Sequence, residues 1–87
     1  MAGNSLLEFP CEFPIKVMGR GSGDFQRLVF AIVSRHDPYV QEAQLERRDS
    51  RNGRYQSITV NVHATSQAQL DAIYQELSAH EQVVMML

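Results

Sequence analysis

The sequence predicts an α+β fold, a ferredoxin-like βαββαβ sandwich in which a four-stranded antiparallel sheet carries two helices on one face. Three observations carry this. Two stretches, Glu12–Met18 and Ser57–Ala64, alternate apolar and polar residues as half-buried strands do. Two others, Phe25–Val33 and Leu70–Leu77, repeat apolar residues at helical spacing. Asn52-Gly53, ahead of the second alternating stretch, is a strong hairpin signal.

Residues 1–11 read as an N-terminal arm and 12–87 as a single domain. In the arm, Leu6, Leu7 and Phe9 are apolar enough to dock on the body, and Pro10 and Pro14 keep the chain extended. In the first strand Phe13, Ile15 and Val17 share one face, and Pro14, Lys16 and Met18 the other. Phe25, Leu28, Val29, Ile32 and Val33 form the stripe of the first helix. Ser22 or Asp24 caps its start, Arg35 and His36 suit its negative end, and Asp37-Pro38 stops it.

Over residues 40–48, Ala43 and Leu45 alternate with Gln44 and Glu46, which suits a polar edge strand. In the third strand Ile58, Val60, Val62 and Ala64 point one way, and Ser57, Thr59, Asn61 and His63 the other. Thr65 or Ser66 caps the second helix, Ser66 and Gln69 having capping-box spacing, and Leu70, Ile73, Tyr74 and Leu77 form its stripe. The run Val83–Leu87, apolar on both faces, closes the sheet. The first and third strands are then central. The inner face is expected to carry Phe13, Ile15, Val17, Ile58, Val60, Val62, Val83, Met85 and Leu87. The outer face carries Lys16, Met18, Ser57, Thr59, Asn61, His63, Val84 and Met86.

The totals exclude several classes. A net charge of −2 gives no general attraction to nucleic acid or to anionic membranes. A single cysteine, Cys11, permits no internal disulfide and no thiolate metal cluster, and fits a reducing compartment. The N-terminal stretch lacks the basic start and long apolar run of a signal peptide, and no segment reaches membrane-spanning length. The expected location is the cytoplasm.

The stretch KVMGRGSGDF, Lys16–Phe25, raises the question of a phosphate loop. A dinucleotide fingerprint fails at Asp24, which stands where the third glycine belongs, and a P-loop fails because Gly23 is followed by Asp24 rather than Lys. What survives is an anion site built from Arg20 and the amides of Gly21–Gly23 at a helix start. Asp24 argues against it, because its carboxylate already occupies that positive end. The plainer alternative is a turn in which the glycines allow positive φ.

Gly19, Gly23 and Arg27 also keep part of the acylphosphatase loop spacing, with Asn61 as a conceivable water-positioning residue. The rest of that motif is missing. His36, His63 and His80 lack metal-ligand spacing. Arg47, Arg48, Arg51 and Arg54, with Tyr55 next, surround the hairpin turn; they could grip a nucleic-acid backbone or an acidic partner, and the plainer reading is a solvated turn with edge-protecting charge. RNA-recognition domains share the strand order but stack bases on central-strand aromatics; here Lys16, Met18, Ser57 and Thr59 hold those outer-face positions, so that reading fails. Its apolar Met18, Val84 and Met86 point to an interface, either with a partner or with the arm.

Leu6–Pro10 (LLEFP), Phe13 and Lys16–Gly19 (KVMG) resemble the opening of the YbeD-like family of small, uncharacterised bacterial proteins. The likeness continues through Arg35-His36, Tyr55-x-Ser57-Ile58-Thr59-Val60, Tyr74-x-x-Leu77 and Val83-x-Met85-x-Leu87. It departs at Val84, where a charged residue is familiar, and in the glycine-rich Arg20–Gly23. The resemblance implies a βαββαβ fold similar to ACT domains, which bind amino acids at subunit interfaces near the loop after the first strand. Here that loop is Gly19, Arg20, Gly21, Ser22 and Gly23. It also implies a link to lipoate metabolism and supplies no catalytic residues.

The expectation is therefore a non-catalytic regulatory or interaction domain without a cofactor, forming a homodimer and binding a small anionic metabolite at Gly19–Gly23. The alternative is an adaptor whose outer face, through Lys16, Met18, Thr59, Asn61, His63, Val84 and Met86, holds a protein partner. An acylphosphatase-like hydrolase ranks below both.

Overall fold

A computed structural model describes residues 7–21 and 23–87. In chain order it has β1 (Cys11–Arg20), α1 (Phe25–Ser34), a short 3₁₀ turn (Glu42–Gln44), β2 (Glu46–Asp49), β3 (Tyr55–Ala64), α2 (Gln67–Ala79) and β4 (Val83–Met86). The strands form one antiparallel sheet in the order β2-β3-β1-β4. The ferredoxin-like arrangement, with the first and third strands central, is the one the alternation predicts.

The core lies between the sheet and the helices. Ile15 and Val17 of β1 and Ile58, Val60, Val62 and Ala64 of β3 meet Phe25, Val29, Ile32 and Val33 of α1 and Leu70, Ile73 and Leu77 of α2. Leu7, Phe9 and Phe13 pack against this cluster, so the described part of the arm goes to the core. The expectation for Leu6 falls outside the described residues.

The helix ends differ. The hydroxyl of Ser66 accepts a hydrogen bond from the Gln69 amide at 3.0 Å and starts α2. The Gln69 side chain reaches one residue further back than in a capping box, to the Thr65 amide and hydroxyl. At α1, Asp24 stands at the N-cap with no side-chain cap bond. Ser22, the other expected cap, lies outside the described residues. Beyond α1, the Arg35 and His36 side chains both reach Glu76 of α2 and tie the helices together.

Three expectations need correction. Residues 40–44 are not strand. Val40 and Leu45 are both buried, the 3₁₀ turn falls between them, and β2 begins only at Glu46. The cause lies next to it: β3 has ten residues and β2 only four, so β3 beyond Thr59 has no β2 partner. The segment Asp37–Leu45 crosses that open edge instead. Fully buried Asp37 accepts a hydrogen bond from the His63 amide at 2.8 Å, where a neighbouring strand would otherwise have done so.

The faces of β4 are also shifted. Val17 pairs with Met86 and Met18 with Met85, but Gly19 pairs with Val83, so Val84 is the extra residue of a bulge. Met86 therefore lies on the core side, against the buried cluster, while Met85 and Leu87 join the outer face. Met86 was expected on the outer face, and Met85 and Leu87 on the inner. A bulge in an all-apolar run leaves no trace in alternation.

Nor do Gly19 and Gly21 serve positive φ; among the described residues Gly53, at +75°, is the glycine that does. They serve close approach. A Cβ at Gly19 would stand 2.2 Å from the Phe25 ring and 2.7 Å from the Gln82 carbonyl. One at Gly21 would stand 2.4 Å from the Gly53 carbonyl, and the Gly21 amide itself donates to the Arg54 carbonyl at 2.6 Å.

Candidate functional site

Two places gather polar chemistry, the Asp37 hub and the outer face of the sheet. At the hub, Asp37 accepts from the Tyr39 amide at 3.0 Å, the His63 amide at 2.8 Å and His63 Nδ1 at 3.0 Å. Burial pushes its pKa up, but the His63 and Tyr39 hydrogen bonds outweigh burial and hold it below the ordinary 3.8. The Tyr39 ring meets His63 edge-on, with centroids 5.9 Å apart. Gln69 Nε2 donates to the His36 and His63 carbonyls. The two Asp37–His63 bonds join the segment after α1 to the end of β3, and Gln69 ties both to α2, so the hub is a structural seal.

The outer face is laid out by the registers. Along β1, Lys16 lies opposite Thr59, Met18 opposite Ser57 and Arg20 opposite Tyr55. On β2, Glu46 lies beside Thr59 and Arg48 beside Ser57. On β4, Met85 lies beside Met18, and Leu87 exchanges two backbone hydrogen bonds with Lys16. Two shallow depressions result. One, of about 440 Å³, is lined by Lys16, Glu46, Arg47, Arg48, Ser57 and Thr59. The other, of about 260 Å³, is lined by Met18, Arg48, Asp49, Ser50, Tyr55 and Ser57. They share Arg48 and Ser57, so a cationic, hydroxyl-lined surface adjoins one bearing a methionine and a tyrosine.

The structure divides the residues proposed from sequence. Lys16, Met18 and Thr59 come together on this face. Asn61 lies further along β3, opposite Pro14, and His63 is held at the edge by Asp37. Val84 sits in the bulge and Met86 faces the core. Arg20 ends β1 on the outer face by strand alternation, whereas α1 starts on the opposite, helical side. Arg20 and the start of α1 are thus not one cradle, and Ser22 lies outside the described residues.

The acylphosphatase geometry also fails. Asn61 pairs with Pro14, six residues back along β1 from Arg20, which at ~3.3 Å per residue is about 20 Å from the loop. Sequence reasoning missed Arg48, Tyr55 and Met85 as members of the face. Tyr55 and Arg48 were legible as hairpin-flanking residues, but their face depended on where β2 begins.

Among the described residues, no group of three or more His, Cys, Asp or Glu side chains could hold a metal ion. Among them too, no helix is long and apolar enough to cross a membrane.

Comparisons with known proteins agree with the fold. The solution structure of protein HP0495 from H. pylori superimposes with a TM-score of 0.77, covering 97% of this chain and 88% of that one at 18% identity. In sequence, the chain is 46% identical over 87 residues to a UPF0250 protein of Nitrosomonas europaea, covering both completely. It is 47% identical over 79 residues to one of Janthinobacterium sp., covering 91% of this chain and 87% of the relative. A family model described as a protein of unknown function, DUF493, matches residues 4–87. The chain therefore belongs to the DUF493, or UPF0250, family of small bacterial proteins, consistent with the YbeD-like resemblance.

Proposed function

We propose that this chain is a non-catalytic interaction domain whose working surface is the outer face of the sheet, and that its partner is a protein segment bearing carboxylates beside apolar side chains. One observation carries the reading: Arg48 and Ser57 are shared by a depression containing Lys16 and one containing Met18 and Tyr55. Carboxylates suit Lys16 and Arg48, which offer charge-assisted hydrogen bonds. An apolar side chain suits Met18 and Tyr55, residue types that adapt to and anchor partners.

The charge distribution supports it. By register Lys16, Arg20 and Arg48 share the outer face, in a chain whose net charge is −2. Such segregation steers an acidic partner to this side. The loop reading is weaker, because packing accounts for Gly19 and Gly21 and because Arg20 stands on the other side of the sheet from α1.

The test is an amide-resonance titration of the labelled protein. One sample receives an acidic, leucine-containing peptide. A parallel series receives amino acids, nucleotides, lipoate derivatives and small phosphates. The reading expects peptide-induced shifts at Lys16, Arg48, Ser57 and Thr59, abolished by Lys16→Glu. Shifts confined to Gly21, Gly23 and Asp24 with a small anion would replace it with the metabolite-binding alternative.

A further inference from the structure

We infer that β4 pairs with β4 of a second copy of this chain, joining two sheets into one antiparallel sheet of eight strands. The argument begins with the free edge. Leu87 and Lys16 exchange backbone hydrogen bonds, so Leu87 directs its amide and carbonyl toward β1. By alternation those of Met86 point away from β1, outward from the sheet. No charged residue occurs from Val83 to Leu87, and Val84, Met85 and Leu87 are 50%, 49% and 66% exposed. An uncharged, exposed edge is a template for another strand.

The neighbouring surface has room for one. A groove of about 360 Å³ runs between α2 and β4, lined by Tyr74, Gln75 and Ser78 on the helix and by Val83–Met86 on the strand. An added strand would place its inward side chains there, as in strand-addition recognition generally.

The occupant that fits is a second copy. Strands pair across an antiparallel edge only when both opposed residues point toward it or both point away. With Met86 pointing outward, a two-fold axis at Met86 satisfies this and stops short of the bulge at Val84. It sets Met86 opposite its own counterpart and Met85 opposite Leu87 of the second copy. Every opposed pair is then apolar, and the unbranched Met86 lies beside the groove, where its adaptable shape suits an irregular cleft. Such an interface is self-complementary, as two-fold assembly requires. At the other edge β2 reads Glu46-Arg47-Arg48-Asp49, and the same pairing would bury charge.

The inference is independent of the outer-face reading, although the joined sheet would set two such faces side by side.

Sedimentation equilibrium of the full chain tests it, with helix and sheet content followed by circular dichroism. The wild type is expected to self-associate reversibly with concentration. Met85→Lys and Met85→Glu each set like charges on diagonal neighbours across the axis and are expected to weaken the dimer tenfold or more. An equimolar mixture of the two should re-form it as a heterodimer. The Met86 amide gives a second readout that needs no variant, since its hydrogen exchange should slow as wild-type concentration rises. A wild type that stays monomeric at millimolar concentration would overturn the proposal. So would a dimer unaffected by Met85→Lys, or a mixture that fails to associate.

Discussion

The two edges of the sheet are finished in opposite ways. On both sides a four-residue strand lies beside a ten-residue one, so each central strand is left partly uncovered. On the β2 side the chain closes the gap itself. Asp37 takes the His63 amide, Val40 and Leu45 are buried alongside, and β2 is charged at every position. On the β4 side the protection is slight. Pro14 lacks an amide where β1 would next donate to a β4 neighbour, but β4 itself is apolar and half exposed. The difference teaches that edge protection is placed selectively: a buried aspartate and charge guard the β2 edge, while the β4 edge keeps uncharged backbone able to template pairing.

The comparison breaks most readily at Asp37. Asp37→Ala strips the acceptor from two backbone amides and from His63 Nδ1. Buried donors left unsatisfied cost about 1–3 kcal/mol each, so the loss should reach roughly 3 kcal/mol. In a domain this small the melting midpoint should fall by more than about ten degrees, read by calorimetry. Acid sharpens the point. Because the Asp37 pKa is lower folded than unfolded, its stabilisation is present above about pH 4 and is lost as pH falls through the folded value. Glu76, also held low by hydrogen bonds from His36 and then Arg35, acts in the same direction but is largely solvated. Asp37→Ala should therefore flatten the acid limb of the melting profile. An unchanged limb would refute the seal.

Next in size is Gly19, where β1 meets the chain entering β4. Gly19→Ala drives a methyl into the Phe25 ring and the Gln82 carbonyl, and should cost about 1–3 kcal/mol in denaturant unfolding. Gly23→Ala meets nothing within 4 Å and should cost well under about 1 kcal/mol. Equal losses would mean that the loop glycines share some role other than this packing.

Smallest is the effect of charge at β2. Arg47 and Asp49 make an exposed pair at 3.5 Å, so Arg47→Ala should change stability by less than about 0.5 kcal/mol. Replacing Arg47 and Asp49 together by valine should leave the fold intact yet make this edge self-associate, visible as concentration-dependent light scattering. Continued solubility would show that charge is not what protects it.

The fold was legible because both central strands and both helices carry clean periodicities, and Ser66 with Gln69 marks the start of α2. The edges were less legible. Ala43 and Leu45 read as members of an alternating strand, whereas a 3₁₀ turn buries Val40 and Leu45 beside buried Asp37. The bulge at Val84 reverses the faces of Met85 and Met86, yet in Val-Val-Met-Met-Leu every register is equally apolar. Arg20 reads as part of a glycine loop, although strand alternation continues through it and carries it to the outer face.

The most direct test compares two amides in one experiment, the hydrogen exchange of His63 and Met86 at low and high protein concentration. The account predicts that His63, sealed by Asp37 within the chain, is protected equally at both, whereas Met86 gains protection as concentration rises. Met86 exchanging freely at every concentration would contradict it.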